Sequence, residues 1–198
     1  MRTSIIQEKL QFACPHVDIT AFGRVRDFRK QVTTSQPAAI LSPSVVIERT
    51  QGYSLALHGV HNDQTEEAYV LAAFGEPIDT NKITEKVIGV VDILGRKPMV
   101  DYTSQLLQAQ VKIKRVAKQE DLLPLLTFGA IDGVLVSSRT FAAMQQQSNQ
   151  ILVATELNIT VGLVAAGVTD ASAQQPISQC LSSLDTSMNE LLGVEKWR

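Results

Sequence analysis

The chain has 198 residues, 44% of them hydrophobic and 19% charged, with a formal charge of −2. That is an ordinary globular composition, long enough for one large α/β domain or two lobes. The scattered Lys and Arg residues give no basic footprint for nucleic acid, and no apolar run approaches the ~18 residues of a membrane span.

The first residues, Met1 to Glu8, carry one basic residue and then polar ones, which reads as no signal peptide. A cytoplasmic protein and a chain whose leader has been removed both fit. Ser4–Ala13 has Ile5, Ile6, Leu10 and Ala13 at helical spacing, ended by Pro15. Val17–Phe22 alternates Val17, Ile19 and Ala21 and is predicted as a short strand. Asp27–Thr34 follows as a helix capped by Asp27 with Phe28 and Val32 on one side, and Ala38–Leu41 as a buried strand ending in Ser42-Pro43-Ser44.

Two more strands, Tyr53–Val60 and Glu67–Phe74, flank the polar stretch 61–65. Lys86–Asp92 is an apolar strand, and Gly95-Arg96-Lys97 opens a helix through Leu107. From Val111 the order of the first segment recurs. Val111-Lys112-Ile113 lines up with Val17-Asp18-Ile19, and Asp121 with Asp27. Gly129 closes a helix whose first turn holds Pro124, and Gly133–Val136 is a strand ending in Ser137-Ser138. The first copy has no counterpart of Lys86–Asp92, which would lie before Met1, so the first lobe is expected to lack its opening strand. Ile151–Ala154 and Thr160–Val168 are further strands. Ala171–Leu192 is predicted as one amphipathic helix through Ile177, Leu181, Leu184, Met188 and Leu191.

Cys14 and Cys180 lie near opposite ends of the chain, with no CxxC and no Cys/His pair at metal-ligand spacing. One long-range disulfide and two unrelated buried thiols both fit that count. None of His16, His58 and His61 stands near a serine or carboxylate at a catalytic spacing. GxSxG, HExxH, GxxxxGK[ST] and GxGxxG are absent, so no catalytic residue, metal or cofactor is expected. Glu66-Glu67 and Glu120-Asp121 read as solvated.

Several stretches in order resemble the type 2 periplasmic solute-binding proteins of ABC transporters, in particular the phosphate/phosphonate-binding branch. They are Asp27–Val32 before Gln36–Ala39, Glu85–Arg96, Asp121 to Val136, and the terminal Leu192–Trp197. Where phosphate binders often carry a Gly-Ser-Thr/Ser-Gly run, this chain reads Gly95-Arg96-Lys97-Pro98-Met99. The resemblance implies an α/β, two-lobed fold, each lobe a mixed sheet flanked by helices. It sets residues 1–80 plus 166–198 in the first lobe and 81–165 in the second. It also implies a non-enzymatic, periplasmic protein that closes on a small anionic solute and delivers it to a membrane permease, with no nucleic acid partner and no membrane insertion. A ligand-sensing domain as in LysR-type regulators and an enzyme on the same scaffold are the alternatives.

Ligands of open α/β sheets sit beyond the carboxyl ends of strands, near helix N-termini. That rule selects Ser42, Ser44, Asp92, Arg96, Lys97, Ser137, Ser138 and Arg139, with Phe22-Gly23-Arg24 as a further loop. The four serines serve equally as helix caps. Arg96 and Lys97 oppose the dipole at a helix start, where a bound anion or plain solvation accounts for them. Tyr53 and Tyr102 fit a cleft lining or the core.

Overall fold

The computed structural model describes residues 3–198; Met1 and Arg2, part of the stretch read for a leader, lie outside them. The chain begins with α1 (Thr3–Ala13), α2 (Val25–Ser35), β1 (Ala39–Pro43), α3 (Ser44–Glu48), β2 (Ser54–Val60) and β3 (Glu66–Phe74). It continues through β4 (Val87–Val91), α4 (Arg96–Leu106), β5 (Lys112–Val116), α5 (Leu122–Thr127), β6 (Gly133–Ser137), α6 (Ser138–Gln147) and β7 (Leu152–Gly162). It ends with β8 (Val164–Val168), α7 (Ala171–Ser182), α8 (Thr186–Leu191) and β9 (Lys196–Trp197).

These elements form two units, Met1–Glu66 with Val161–Arg198, and Glu67–Thr160. The chain therefore leaves the first unit at the start of β3 and returns to it at Val161, where the family resemblance implied 80 and 166. The reason is pairing: Tyr69 to Ala72 of β3 run antiparallel to Ser137 to Val134 of β6, which makes β3 a strand of the second sheet.

The first unit holds a four-stranded sheet in the order β1-β8-β2-β9, every pair antiparallel. Successive residues of its strands serve opposite faces. On one face Ile40 and Ala165 meet Ile47 of α3 and Phe28 and Val32 of α2. On the other, Ala166 and Leu41 meet Leu10 of α1, Leu181 of α7 and Met188 of α8. A disulfide joins Cys14, just past α1, to Cys180 in α7, which settles the cysteine alternatives in favour of the bond.

Two expected elements of this unit differ. Val17–Phe22 is extended but is not a strand, because glutamines of α1 take its backbone groups. Gln11 Nε2 donates to the Val17 carbonyl at 2.7 Å, the Ile19 N–H donates to Gln11 Oε1 at 3.0 Å, and the Ala21 N–H donates to Gln7 Oε1 at 2.9 Å. Three of the segment's backbone groups are thus taken by side chains and not by a neighbouring strand. The terminal helix is two helices, since Asp185 starts α8 afresh by accepting the Met188 N–H at 2.7 Å.

The second unit holds a mixed five-stranded sheet in the order β5-β4-β6-β3-β7, with β4 parallel to both β5 and β6. Its strand β6 is buried at every position, as expected of a central strand covered on both faces. Val70, Ala72, Val134 and Val136 pack against Leu122 and Leu126 of α5 and Met144 of α6. Gly129, at φ 63°, closes α5 in the left-handed conformation, and its N–H donates to the Leu126 carbonyl at 3.0 Å. The two predicted strands over 151–168 are in fact β7 and β8, broken at Leu163, whose N–H donates to the Thr65 carbonyl at 2.8 Å.

Candidate functional site

The parallel pair β4 and β6 ends in the starts of α4 and α6, so both helix N-termini stand at one end of the second unit's sheet. β4 and β6 pair in parallel at Ile88↔Gly133 and Gly89↔Val134, so Asp92, just past β4, and Ser137, the last residue of β6, both belong to the carboxyl ends of neighbouring strands. Antiparallel β3 begins at the same end, and Tyr69 is the register partner of Ser137. Tyr69 and Ser137 are thus paired neighbours, with Asp92 following the adjacent strand at the same end of the sheet. The rule that ligands lie beyond the carboxyl ends of strands selected Asp92 and Ser137. Tyr69 and Glu67 were missed, because only the antiparallel pairing of β3 turns its first residues toward the carboxyl ends of its neighbours.

The polar groups at this end of the sheet are already partly engaged. Asp92 Oδ1 accepts the Gly95 N–H at 2.7 Å, and its other oxygen is held by the Arg115 guanidinium of β5. A carboxylate of the protein thus stands at the start of α4, where the dipole favours an anion. Ser137 caps α6: its Oγ accepts the Thr140 N–H at 3.3 Å and donates to Thr140 Oγ1 at 3.1 Å. Ser138 Oγ donates to the Ala68 carbonyl at 3.3 Å, and Arg139 Nε bonds Glu67 Oε2 at 3.0 Å. Arg96 and Lys97 are exposed and make no ion pair among the described residues. Burial drives the Tyr69 hydroxyl far above its ordinary value, with the charge of Glu67 adding to the rise, so the ring stays a neutral hydroxyl at this rim.

In the first unit, Ser42 faces β8 through its register partner Ala165, and its hydroxyl makes no hydrogen bond among the described residues. Ser44 is buried at the start of α3, its N–H donating to the Leu163 carbonyl at 3.0 Å. Arg24 stands ahead of α2 with no side-chain capping bond. The tyrosines raised by the sequence reading turn inward: Tyr102 is buried, and Tyr53 donates its hydroxyl to the Pro37 carbonyl at 2.6 Å. His61 Nδ1 lies 3.3 Å from Glu195, and the His58 N–H donates to the Arg198 carbonyl at 2.8 Å, so both histidines serve the junction with β9. Among the described residues no cluster of three His, Cys, Asp or Glu is placed to hold a metal. No helix among them is long and apolar enough to cross a membrane.

No protein-family profile matches the chain, and no curated protein matches it in sequence. Solved structures do match along nearly its whole length. A protein of Xanthomonas citri bound to ATP shares 9% identity at a TM-score of 0.67, covering 99% of this chain and 86% of that one. An ancestral arginine-binding protein bound to arginine shares 14% identity at 0.64, covering 96% and 85%. The substrate-binding protein of an amino acid ABC transporter shares 14% at 0.61, covering 96% and 84%.

Proposed function

The fold of these units is that of the two-lobed periplasmic binding proteins, and we propose that the chain binds a small polar solute without transforming it. The observation that carries this reading is the Tyr69–Ser137 pair at the end of the mixed sheet where β4 and β6 give way to α4 and α6, with Asp92 and the exposed cations Arg96 and Lys97 at the start of α4. Ligands of such sheets lie at that end. Arg96 and Lys97 favour an anionic group on the solute, while the Glu67 carboxylate, paired with Arg139 through one oxygen, supplies an acceptor for its donors. Ser138 and Arg139, at the start of α6, complete the proposed contacts of this unit. The branch of the family is open on this reading: the solved structures with this fold include binders of arginine and ATP, so amino acids and nucleotides stand beside phosphate and phosphonates as candidates.

A periplasmic location with delivery to an ABC permease belongs to the same proposal. The Cys14–Cys180 bond supports it, since disulfides persist in oxidising compartments. That bond disfavours a cytosolic regulator. Thermal unfolding against amino acids, nucleotides, phosphate, phosphonates, sulfate and carboxylates tests the reading. A solute at about 100 times its Kd stabilises by about 2.7 kcal/mol, a shift of several degrees. A shift from one class, lost in Arg96→Ala/Lys97→Ala, is the expected result. Equal melting points across all classes count against it.

A further inference from the structure

Asp92 is tied down from three directions. Its N–H donates to the Val116 carbonyl at 2.8 Å, which fixes it to the end of β5 just past β4. One carboxylate oxygen accepts the Gly95 N–H at 2.7 Å, and the other is held by the Arg115 guanidinium. The side chain is 14% exposed, so salt and water screen its charge little.

The start of a helix offers N–H groups to an anion, and the dipole adds to their pull. At α4 that supply is short. Asp92 takes the Gly95 N–H, Pro98 has no N–H, and the Met99 N–H is committed to the Gly95 carbonyl at 2.9 Å. The first turn is left with the N–H groups of Arg96 and Lys97. A tetrahedral oxyanion such as phosphate has more oxygens than those groups can satisfy. It would also set its charge against a carboxylate of the chain within the same turn. The neighbouring helix start is built differently: α6 is capped by the neutral hydroxyl of Ser137, so a charged group is not a general requirement at this end of the sheet.

We propose that Asp92 determines the specificity of the site: its carboxylate fills the place of a bound anion at the start of α4 and excludes phosphate, phosphonate and other tetrahedral oxyanions from it. The inference rests on the binding function proposed above and narrows its substrate class. It leaves solutes whose anionic group is a carboxylate, met by the exposed side chains of Arg96 and Lys97. Asp92 acts by exclusion and needs no contact with the solute.

Asp92→Asn tests this, because an amide oxygen still accepts the Gly95 N–H while the charge is gone. The probe is inorganic phosphate, with acetate at equal ionic strength as the control, and the readout is the amide resonances of Gly95, Arg96 and Lys97 in the whole chain. In the unchanged chain phosphate moves them no more than acetate does. In Asp92→Asn they move saturably, and phosphate binds about tenfold or more tighter than to the unchanged chain. Asp92→Asn/Arg115→Gln removes both charges of the pair and lets two amides bond each other, so it replaces the single variant if that one does not fold, with the same expectation. Three results overturn the inference: saturable movement of these amides by phosphate in the unchanged chain, selective stabilisation of the unchanged chain by phosphate, or a folded variant whose amides ignore phosphate. The solute panel judges the binding function separately. Equal melting points across that panel with a phosphate response in Asp92→Asn would count against the binding function and not against the exclusion.

Discussion

A Cβ placed on Gly162 would stand 2.0 Å from Ser44 Oγ and 3.0 Å from Ser44 Cβ. The strand that brings the chain back to the first unit thus passes directly over the start of α3, and only a glycine passes there. Gly162→Ala forces Ser44 to move and is expected to cost about 1–3 kcal/mol. Adding Ser44→Gly should restore much of the loss, and the two changes should be strongly non-additive. Urea unfolding of the single and double variants measures this; additive losses would mean that the contact is not felt.

Reducing the Cys14–Cys180 bond releases a loop of sequence separation 166. In the chain-entropy account such a cross-link stabilises by about 5 kcal/mol, comparable with the whole stability of many domains. Denaturant titrations with and without reductant should show the difference. It should vanish in Cys14→Ser/Cys180→Ser.

Removing the Ser137 hydroxyl deletes the cap of α6 in a buried setting, and Ser137→Ala should lose about 1 kcal/mol. Ser138→Ala, whose hydroxyl is exposed and reaches only the Ala68 carbonyl, should change stability by less than half of that. Asp92→Ala strips both Gly95 and Arg115 of their acceptor. With that pair only partly buried, a loss of about 2 kcal/mol is expected. Chemical denaturation of the three variants ranks them.

Tyr69 sets the alkaline behaviour. Its hydroxyl is raised above the ordinary 10.0 in the fold, so at high pH the unfolded chain loses that proton first. The stability it contributes is full below about pH 10 and declines as pH rises through the folded value. Tyr69→Phe should flatten that decline while leaving the acid side unchanged. Melting temperature against pH, together with an absorbance titration of tyrosinate, tests the sign.

Most elements were legible because local pattern dictates them: Pro15 ends α1, Gly129 closes α5, and the β-branched run at 87–91 is a buried strand. What was not legible depends on partners distant in sequence. Val17–Phe22 alternates as a strand does, yet Gln7 and Gln11 bind its backbone before any neighbouring strand can. The break before α8 rests on the one hydrogen bond that Asp185 accepts. Of the candidate site, the serines at strand ends were visible, with capping as one of their two readings, which Ser137 fulfils; the arrival of Tyr69 beside Ser137 was not, because antiparallel pairing alone brings it about.

The first unit is assembled from the two ends of the polypeptide, with the second unit inserted between Glu66 and Val161. During synthesis the inserted unit has all its strands as soon as Gly162 is made, whereas β1 must wait for β8, and Cys14 for Cys180. The first unit therefore needs both of its segments, whereas the strands of the second sheet are contiguous in sequence. A chain that ends before residue 180 has no partner for Cys14, so closing the thiol pair reports that both segments of the first unit have come together.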